Sequence, residues 1–293
     1  MKRMKKDTLS LILRAAVTLS AIMTAGVVIL LVGYILLKGI PGLTPDLFAW
    51  KYTSENGSLM SSLINTVIMI ILALIIAGPI GIFSAIYLVE YAKRGNKVVG
   101  VVRMTAETLS GIPSIVYGMF GYLFFVKALG WSYSIMAGAF TLAIMVLPLI
   151  MRTTEEALKA VPDSYREGSF GLGAGRLRTV FRIILPSAVP GILAGIILAI
   201  GRIVGETAAL IYTAGTVAEV PVWKWTGHPL RDLIAPLFSS GSTLSVHMYR
   251  MSSEGLHINT AYGTAVVLLV IVIVINALSS FVAKKLSKAD GGQ

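Results

Sequence analysis

Glu167–Pro186 reads E-G-S-F-G-L-G-A-G-R-L-R-T-V-F-R-I-I-L-P, a charged, glycine-broken stretch that ends where a long apolar run begins. Its surroundings have helical composition, Arg152–Arg166 on one side of the glycines and Leu177–Ile184 on the other, with charges mixed among apolar residues at helical spacing. Gly171, Gly173 and Gly175 lie between them and supply the positive-φ freedom that a sharp turn needs. The expectation is two short helices joined by a glycine turn, lying along a membrane face and presenting a knob to a soluble partner. The same glycines do not make a dinucleotide-binding G-x-G-x-x-G, because Arg176 holds the last position and no strand precedes them.

Working outward, the segment is flanked by the apolar runs Tyr133–Met151 and Ala188–Tyr212. Four more occur, at Ala15–Leu37, Leu63–Val89, Val98–Val126 and Ala261–Val282. Each is close to the roughly 20 residues a lipid-spanning helix requires, so the chain reads as six transmembrane helices. Composition agrees: of 293 residues 56% are hydrophobic and 13% charged, about half the charge of a soluble domain, and the mean hydropathy is +0.82. The first run follows the basic Met1–Lys6 but is longer than the roughly 7–15 residues of a signal-peptide core, so it reads as an uncleaved span. Pro79, Pro113 and Pro148 interrupt apolar runs, and kinked or broken helices are expected there. The absence of cysteine excludes disulfides, thiolate catalysis and cysteine-ligated metals.

The net charge of +11 has a direction. Of the 25 Lys and Arg, 17 fall in the N-terminus, the loop with Lys93, Arg94 and Lys97, the Arg152–Arg182 segment and the tail. Six fall in the opposite loops, and two, Arg103 and Arg202, lie inside spans. The positive-inside rule then places both termini in the cytoplasm, as an even number of spans demands. A nucleic-acid binder is excluded, since the spans leave no soluble basic face. The external segment Gly215–Thr260 holds His228, His247 and His257 without acidic partners at ligand spacing, so no metal site is expected. Trp223 and Trp225 in that segment read as interface belt residues. No G-x-x-x-x-G-K-[ST] phosphate loop occurs, so the chain is not expected to hydrolyse nucleotide itself.

Charges within spans are costly unless they face a cavity or a partner. Arg103 and Glu107, and Arg202 and Glu206, stand four residues apart, which on a continuous helix puts each pair on one face and predicts an internal ion pair. Thr108 and Thr207 follow, so R-x-x-x-E-T occurs twice. One reading is that the pairs only neutralise themselves or join helices. The other is a polar path: a guanidinium matches tetrahedral oxyanions with two parallel hydrogen bonds. A neighbouring carboxylate can accept a hydrogen bond from HPO₄²⁻ but repels sulfate, which has no proton to offer.

Glu167–Pro186 resembles the EAA signature of bacterial ABC importer permeases, E-A-A-x₃-G-x₉-I-x-L-P, with Glu167, Gly173, Ile183, Leu185 and Pro186 at the family spacing. Gly168 and Ser169 replace the two alanines, and both are small. Leu109–Gly118 (L-S-G-I-P-S-I-V-Y-G) and Gly201–Gly215 (G-R-I-V-G-E-T-A-A-L-I-Y-T-A-G) are similar to phosphate-specific importers, and the G-E-T-A continuation to their PstA-type permeases. The resemblance implies an all-α polytopic membrane protein with the type I (MetI-like) permease fold, multi-pass in a bacterial or archaeal plasma membrane. It implies a non-catalytic permease subunit of an ATP-driven phosphate importer. A PstC-type permease, two PstB-type ATPases and a PstS-type phosphate-binding protein are the implied partners. ATP and Mg would be used by the ATPase, with no cofactor on this chain. It assigns Glu167, Gly168, Ser169, Gly173, Ile183, Leu185 and Pro186 to ATPase coupling. Arg202 with Glu206 and Thr207 is assigned to phosphate passage, and Arg103 with Glu107 joins them on the duplicated pattern. Two other functions stay open: a permease for molybdate or sulfate, and a proton-coupled secondary transporter with Glu107 and Glu206 as relay.

Overall fold

The structure, a computed structural model, describes residues 2–290 apart from Ser54, Arg94, Lys224 and Leu256, with side chains for residues 9–281 apart from those four and Ser279. Arg94, Lys224 and the side chains of Lys2, Arg3, Lys5, Lys6, Lys284, Lys285 and Lys288, all counted above for orientation, lie outside the described set. No strand occurs among the described residues. The apolar runs form α1 (Lys2–Gly39), α2 (Met60–Ile86), α3 (Lys97–Ser110), α4 (Ser114–Gly121), α5 (Ile135–Ala160), α8 (Leu185–Val204), α9 (Ala208–Thr213) and α12 (Ile258–Asp290). Between α5 and α8 lie α6 (Asp163–Gly171) and α7 (Arg176–Thr179), and between α9 and α12 lie α10 (Pro229–Ile234) and α11 (Leu244–Glu254). Among the described residues five helical stretches are long and apolar enough to cross a membrane, or six if the bent pair Lys97–Ser110 and Ser114–Ala128 is one span.

α5 is the central helix, with 67% of its most apolar stretch buried, whereas the matching stretch of α1 is wholly exposed. In lipid the hydrophobic effect does not drive helices together, so close approach at small residues does. Ala73, Ala77, Gly81 and Ala85 line one face of α2 at four-residue intervals and are buried. A Cβ on Gly81 would lie 2.9 Å from Ile150 Cγ2 of α5, and one on Gly195 of α8 would meet the Thr153 side chain of α5. α2, α5 and α8 therefore stack as one core, and α1 touches the rest mainly along α12, where the Tyr34 and Tyr262 hydroxyls lie 3.2 Å apart.

One sequence expectation is met and two are corrected. Val98–Val126 breaks at Pro113 as expected: α3 and the helix that follows it meet at 102°. Pro113 has no N–H to give a helix, and its ring disfavours the α region for the residue before it. The carbonyl of Leu109, freed at the break, accepts from Tyr117 Oη at 2.7 Å. Ala188–Tyr212 is likewise interrupted, between Val204 and Ala208. Finally, Arg152–Arg166 is split: α5 runs on to Ala160, and Pro162 separates it from α6. Pro79 and Pro148, by contrast, sit inside the continuous helices α2 and α5.

The end of the bundle opposite α6 and α7 is tied by polar residues in the first turns of α2. Asn65 Nδ2 donates to the Glu219 carbonyl at 2.8 Å, Ser61 Oγ to that of Ala218 at 2.9 Å, and the Ser62 and Ser242 hydroxyls share a bond of 2.8 Å. At the same end His247 of α11 is fully buried, its Nε2–H donating to the Gly57 carbonyl at 3.1 Å. Burial, aided by the Arg250 charge, holds its pKa down to about 4. In the unfolded chain this group titrates near 6.5, so below that pH the unfolded state takes up a proton that the fold refuses. Its contribution is intact above about 6.5 and declines by about 1.4 kcal/mol per pH unit down to about 4. Thermal unfolding of the detergent-solubilised protein between pH 7 and pH 5 is expected to lose about 2 kcal/mol more than the His247→Gln variant does; parallel curves for the two would refute this.

Candidate functional site

The bend before α4 swings α3 alongside the far half of α5, and the space left between α3, α5 and α8 is a cavity of about 470 Å³. α3 contributes Arg103, Glu107 and Ser110, α5 contributes Arg152, Thr153, Glu155, Glu156 and Lys159, and α8 contributes Arg202. Four cations thus face three carboxylates. Two of the carboxylates are engaged: Glu155 Oε1 takes Arg103 Nη2 at 2.7 Å and Lys159 Nζ at 2.5 Å, and Glu156 Oε1 takes Arg152 Nε at 3.1 Å. Arg202, half-buried, has no ion pair and no side-chain hydrogen bond among the described residues. A free guanidinium lining a cavity in which the other cations are paired is the group most available to an incoming anion.

The expected internal pairs are not those the fold makes. Arg103 reaches across to Glu155 of α5 and leaves Glu107 on the cavity wall without an ion-pair partner among the described residues. Arg202 and Glu206 do not pair, because α8 ends at Val204 and the four-residue rule holds only on an unbroken helix. Glu206 is buried, and its Oε1 accepts from the Ala209 N–H at 3.0 Å, satisfying an orphan donor at the start of α9. Its carbonyl accepts from Ser245 Oγ at 2.6 Å. Neither Glu206 nor Thr207 lines this cavity. The fold therefore brings Arg103, Glu107 and Arg202 together and holds Glu206 and Thr207 behind them at the helix break. Sequence reading missed Glu155 and Lys159, which lie beyond the apolar part of α5; their four-residue spacing was the only available signal.

The second candidate feature is the loop between α5 and α8. α6 and α7 are joined by a turn in which Gly173 has φ +81°, a conformation an L side chain rarely adopts. Ser169 is buried and its hydroxyl meets that of Thr179 at 2.8 Å, tying the two helices side by side. Glu167 and Gly168 are exposed on α6. Ile183 belongs to the π-helical turn Val180–Ile184, and Leu185 and Pro186 open α8. At the tip Leu172 is 91% exposed, with Phe170 and Leu177 also open. The loop of charged helices thus carries an exposed apolar tip, and Leu172 at its centre was legible only as one residue among glycines.

These features define a class: a polytopic all-helical membrane protein with a cation-lined cavity in the bundle and a two-helix loop with an exposed apolar tip at one end. The chain belongs to the family of binding-protein-dependent transport system inner membrane components, which it matches over residues 77–289. It is 35% identical over 281 residues to the probable ABC transporter permease protein YqgI of Bacillus subtilis, covering 92% of this chain and 94% of that one. It is 38% identical over 210 residues to the phosphate transport system permease protein PstA of Pasteurella multocida, covering 67% and 74%. Among solved structures, a chain of a bacterial alginate ABC transporter superposes with a TM-score of 0.61 at 16% identity, covering 92% and 95%. The inward-facing MetNI methionine transporter gives 0.58 at 19%, covering 78% and 94%. The fold is that of an ABC importer permease.

Proposed function

We propose that this chain is the PstA-type permease subunit of an ATP-driven importer of inorganic phosphate. It forms half of the translocation path and couples it to an ATPase through α6 and α7. The observation that carries the substrate is Arg202, a guanidinium without an ion pair among the described residues on a cavity whose other cations are paired. The relatedness to phosphate permeases supports the same choice. Glu107, free on the same wall, suits a ligand that still carries a proton, because a carboxylate accepts from HPO₄²⁻ and repels sulfate. Arg103 and Lys159, held by Glu155, form a second station that an anion reaches by replacing that carboxylate. Glu206 and Thr207 shape the break beside Arg202.

In this reading both termini and the α6–α7 loop are cytoplasmic, as the 17 basic residues on that side require. A homologous permease supplies the other half of the path, two ATPase subunits bind below, and a phosphate-binding protein docks outside. The chain performs no catalysis; ATP and Mg belong to the ATPase. Phosphate uptake into proteoliposomes holding the whole complex, competed in turn with sulfate and molybdate, tests the assignment. ATP-dependent uptake that only phosphate suppresses is expected. Suppression by either competitor at the same concentration would make it another oxyanion permease, and uptake that persists without the ATPase but collapses with the proton gradient would make it a secondary transporter.

A further inference from the structure

α2 continues past Ile86 into a π-helical turn, Tyr87–Tyr91. Such turns are rare and cluster at functional sites, and this one meets both helices of the coupling loop. Glu90 is buried at 8% exposure, and Arg166 of α6 binds it through Nη2 to Oε1 at 2.7 Å and Nε to Oε1 and Oε2 at 3.1 and 3.4 Å. The same guanidinium donates from Nη2 to the Leu158 carbonyl and from Nη1 to the Val161 carbonyl, each at 2.9 Å, and pairs with Asp163 at 3.1 Å. The first two are carbonyls left over where α5 ends. One side chain thus joins the end of α2, the end of α5 and the first turn of α6. The adjacent Tyr91 carries the Arg176 guanidinium of α7 over its ring at 5.5 Å.

We infer that the π turn Tyr87–Tyr91 clamps the coupling loop to the bundle, with Glu90 and Arg166 as the positioning pair that passes motion of α6 to α2 and α5 together. Without it, α6 would be held to α5 by the Val161–Pro162 joint and to α7 by the Ser169–Thr179 bond, with no tie to α2, and a push on the loop would bend that joint. With it, the push reaches α5, which carries Glu155, Lys159 and Arg152 on the cavity wall. α2 follows because it is packed against α5 at Gly81 and Ile150. The inference rests on the reading of the chain as an ATPase-coupled permease.

The test is the number of ATP molecules hydrolysed per phosphate imported, measured on the complete reconstituted complex and normalised to assembled complex. A merely structural defect lowers the amount of complex without moving that ratio. Glu90→Gln is expected to raise it by about fivefold or more, the lower end of typical coupling between sites. Glu90→Gln leaves Arg166 as an uncompensated buried charge, so a double variant, Glu90→Gln with Arg166→Met, removes both charges and guards against simple misfolding. It is expected to raise the ratio likewise. The absence of cysteine permits a further check. Glu90→Cys with Arg166→Cys, joined by a short bismaleimide, should bring the ratio back toward wild type. A wild-type ratio in either assembled glutamine variant overturns the clamp, as does failure of both to assemble, or a cross-link that halts import. A wild-type complex that hydrolyses ATP without importing phosphate overturns the proposed function and the clamp with it.

Discussion

Replacing Arg202 by glutamine is expected to lower ATP-driven phosphate uptake by roughly 10- to 150-fold, the equivalent of the about 1.5–3 kcal/mol carried by a hydrogen bond to a charged group. The side chain lines the cavity without an ion pair or side-chain hydrogen bond among the described residues, so its removal takes away ligand contacts and leaves no stranded carboxylate. Arg103→Gln is expected to cost less uptake, because Arg103 is already bound to Glu155, which keeps Lys159 after the change. Radiolabelled phosphate entering proteoliposomes, corrected for complex that retains its ATPase, measures both. Wild-type uptake in Arg202→Gln, or equal and negligible effects of the two substitutions, would remove these arginines from the substrate path.

Leu172→Asp is the second large effect, expected to abolish capture of the ATPase subunits and, with it, uptake. Leu172 is 91% exposed at the turn between α6 and α7, so the permease itself loses no packing when it is changed. Seating a leucine in an apolar groove contributes about 1.5–3 kcal/mol, and an ionised carboxylate there adds a desolvation cost. Leu172→Met, nearly equal in volume, should retain capture. Co-purification of the ATPase with tagged permease reads the result directly. Full capture by Leu172→Asp would move the docking surface away from this tip and toward Glu167 and the exposed face of α6.

Much of this architecture was legible beforehand because the signals are local. Apolar length marks spans whatever their neighbours do, and Pro113, lacking an N–H, identified where the third would break. Gly173 adopts the positive φ its place between two helical segments called for. The interruption at Gly205–Thr207 escaped notice because no proline marks it; it persists because the Glu206 carboxylate and Ser245 hydroxyl satisfy the freed backbone groups. Asn65 was read as part of an apolar run and Ser61 and Ser62 lie just ahead of it, yet the three bond to Glu219, Ala218 and Ser242, more than 150 positions away. No periodicity reports such a bond.

The charges divide in the same way. The sequence alone determined that Arg103 and Arg202 lie within apolar runs, that most other basic residues fall in alternate connecting segments, and that a glycine-broken loop precedes the fifth run, since each follows from residue type and position along the chain. Only the tertiary structure decided which carboxylate each arginine meets. Four-residue spacing implies contact only where the helix is unbroken and no better partner stands opposite. Glu155 across the cavity took Arg103, the end of α8 separated Arg202 from Glu206, and Arg166, beside the loop motif, was drawn to Glu90 76 residues earlier. Burial rewards the partner that completes the most hydrogen bonds, wherever it lies in the chain.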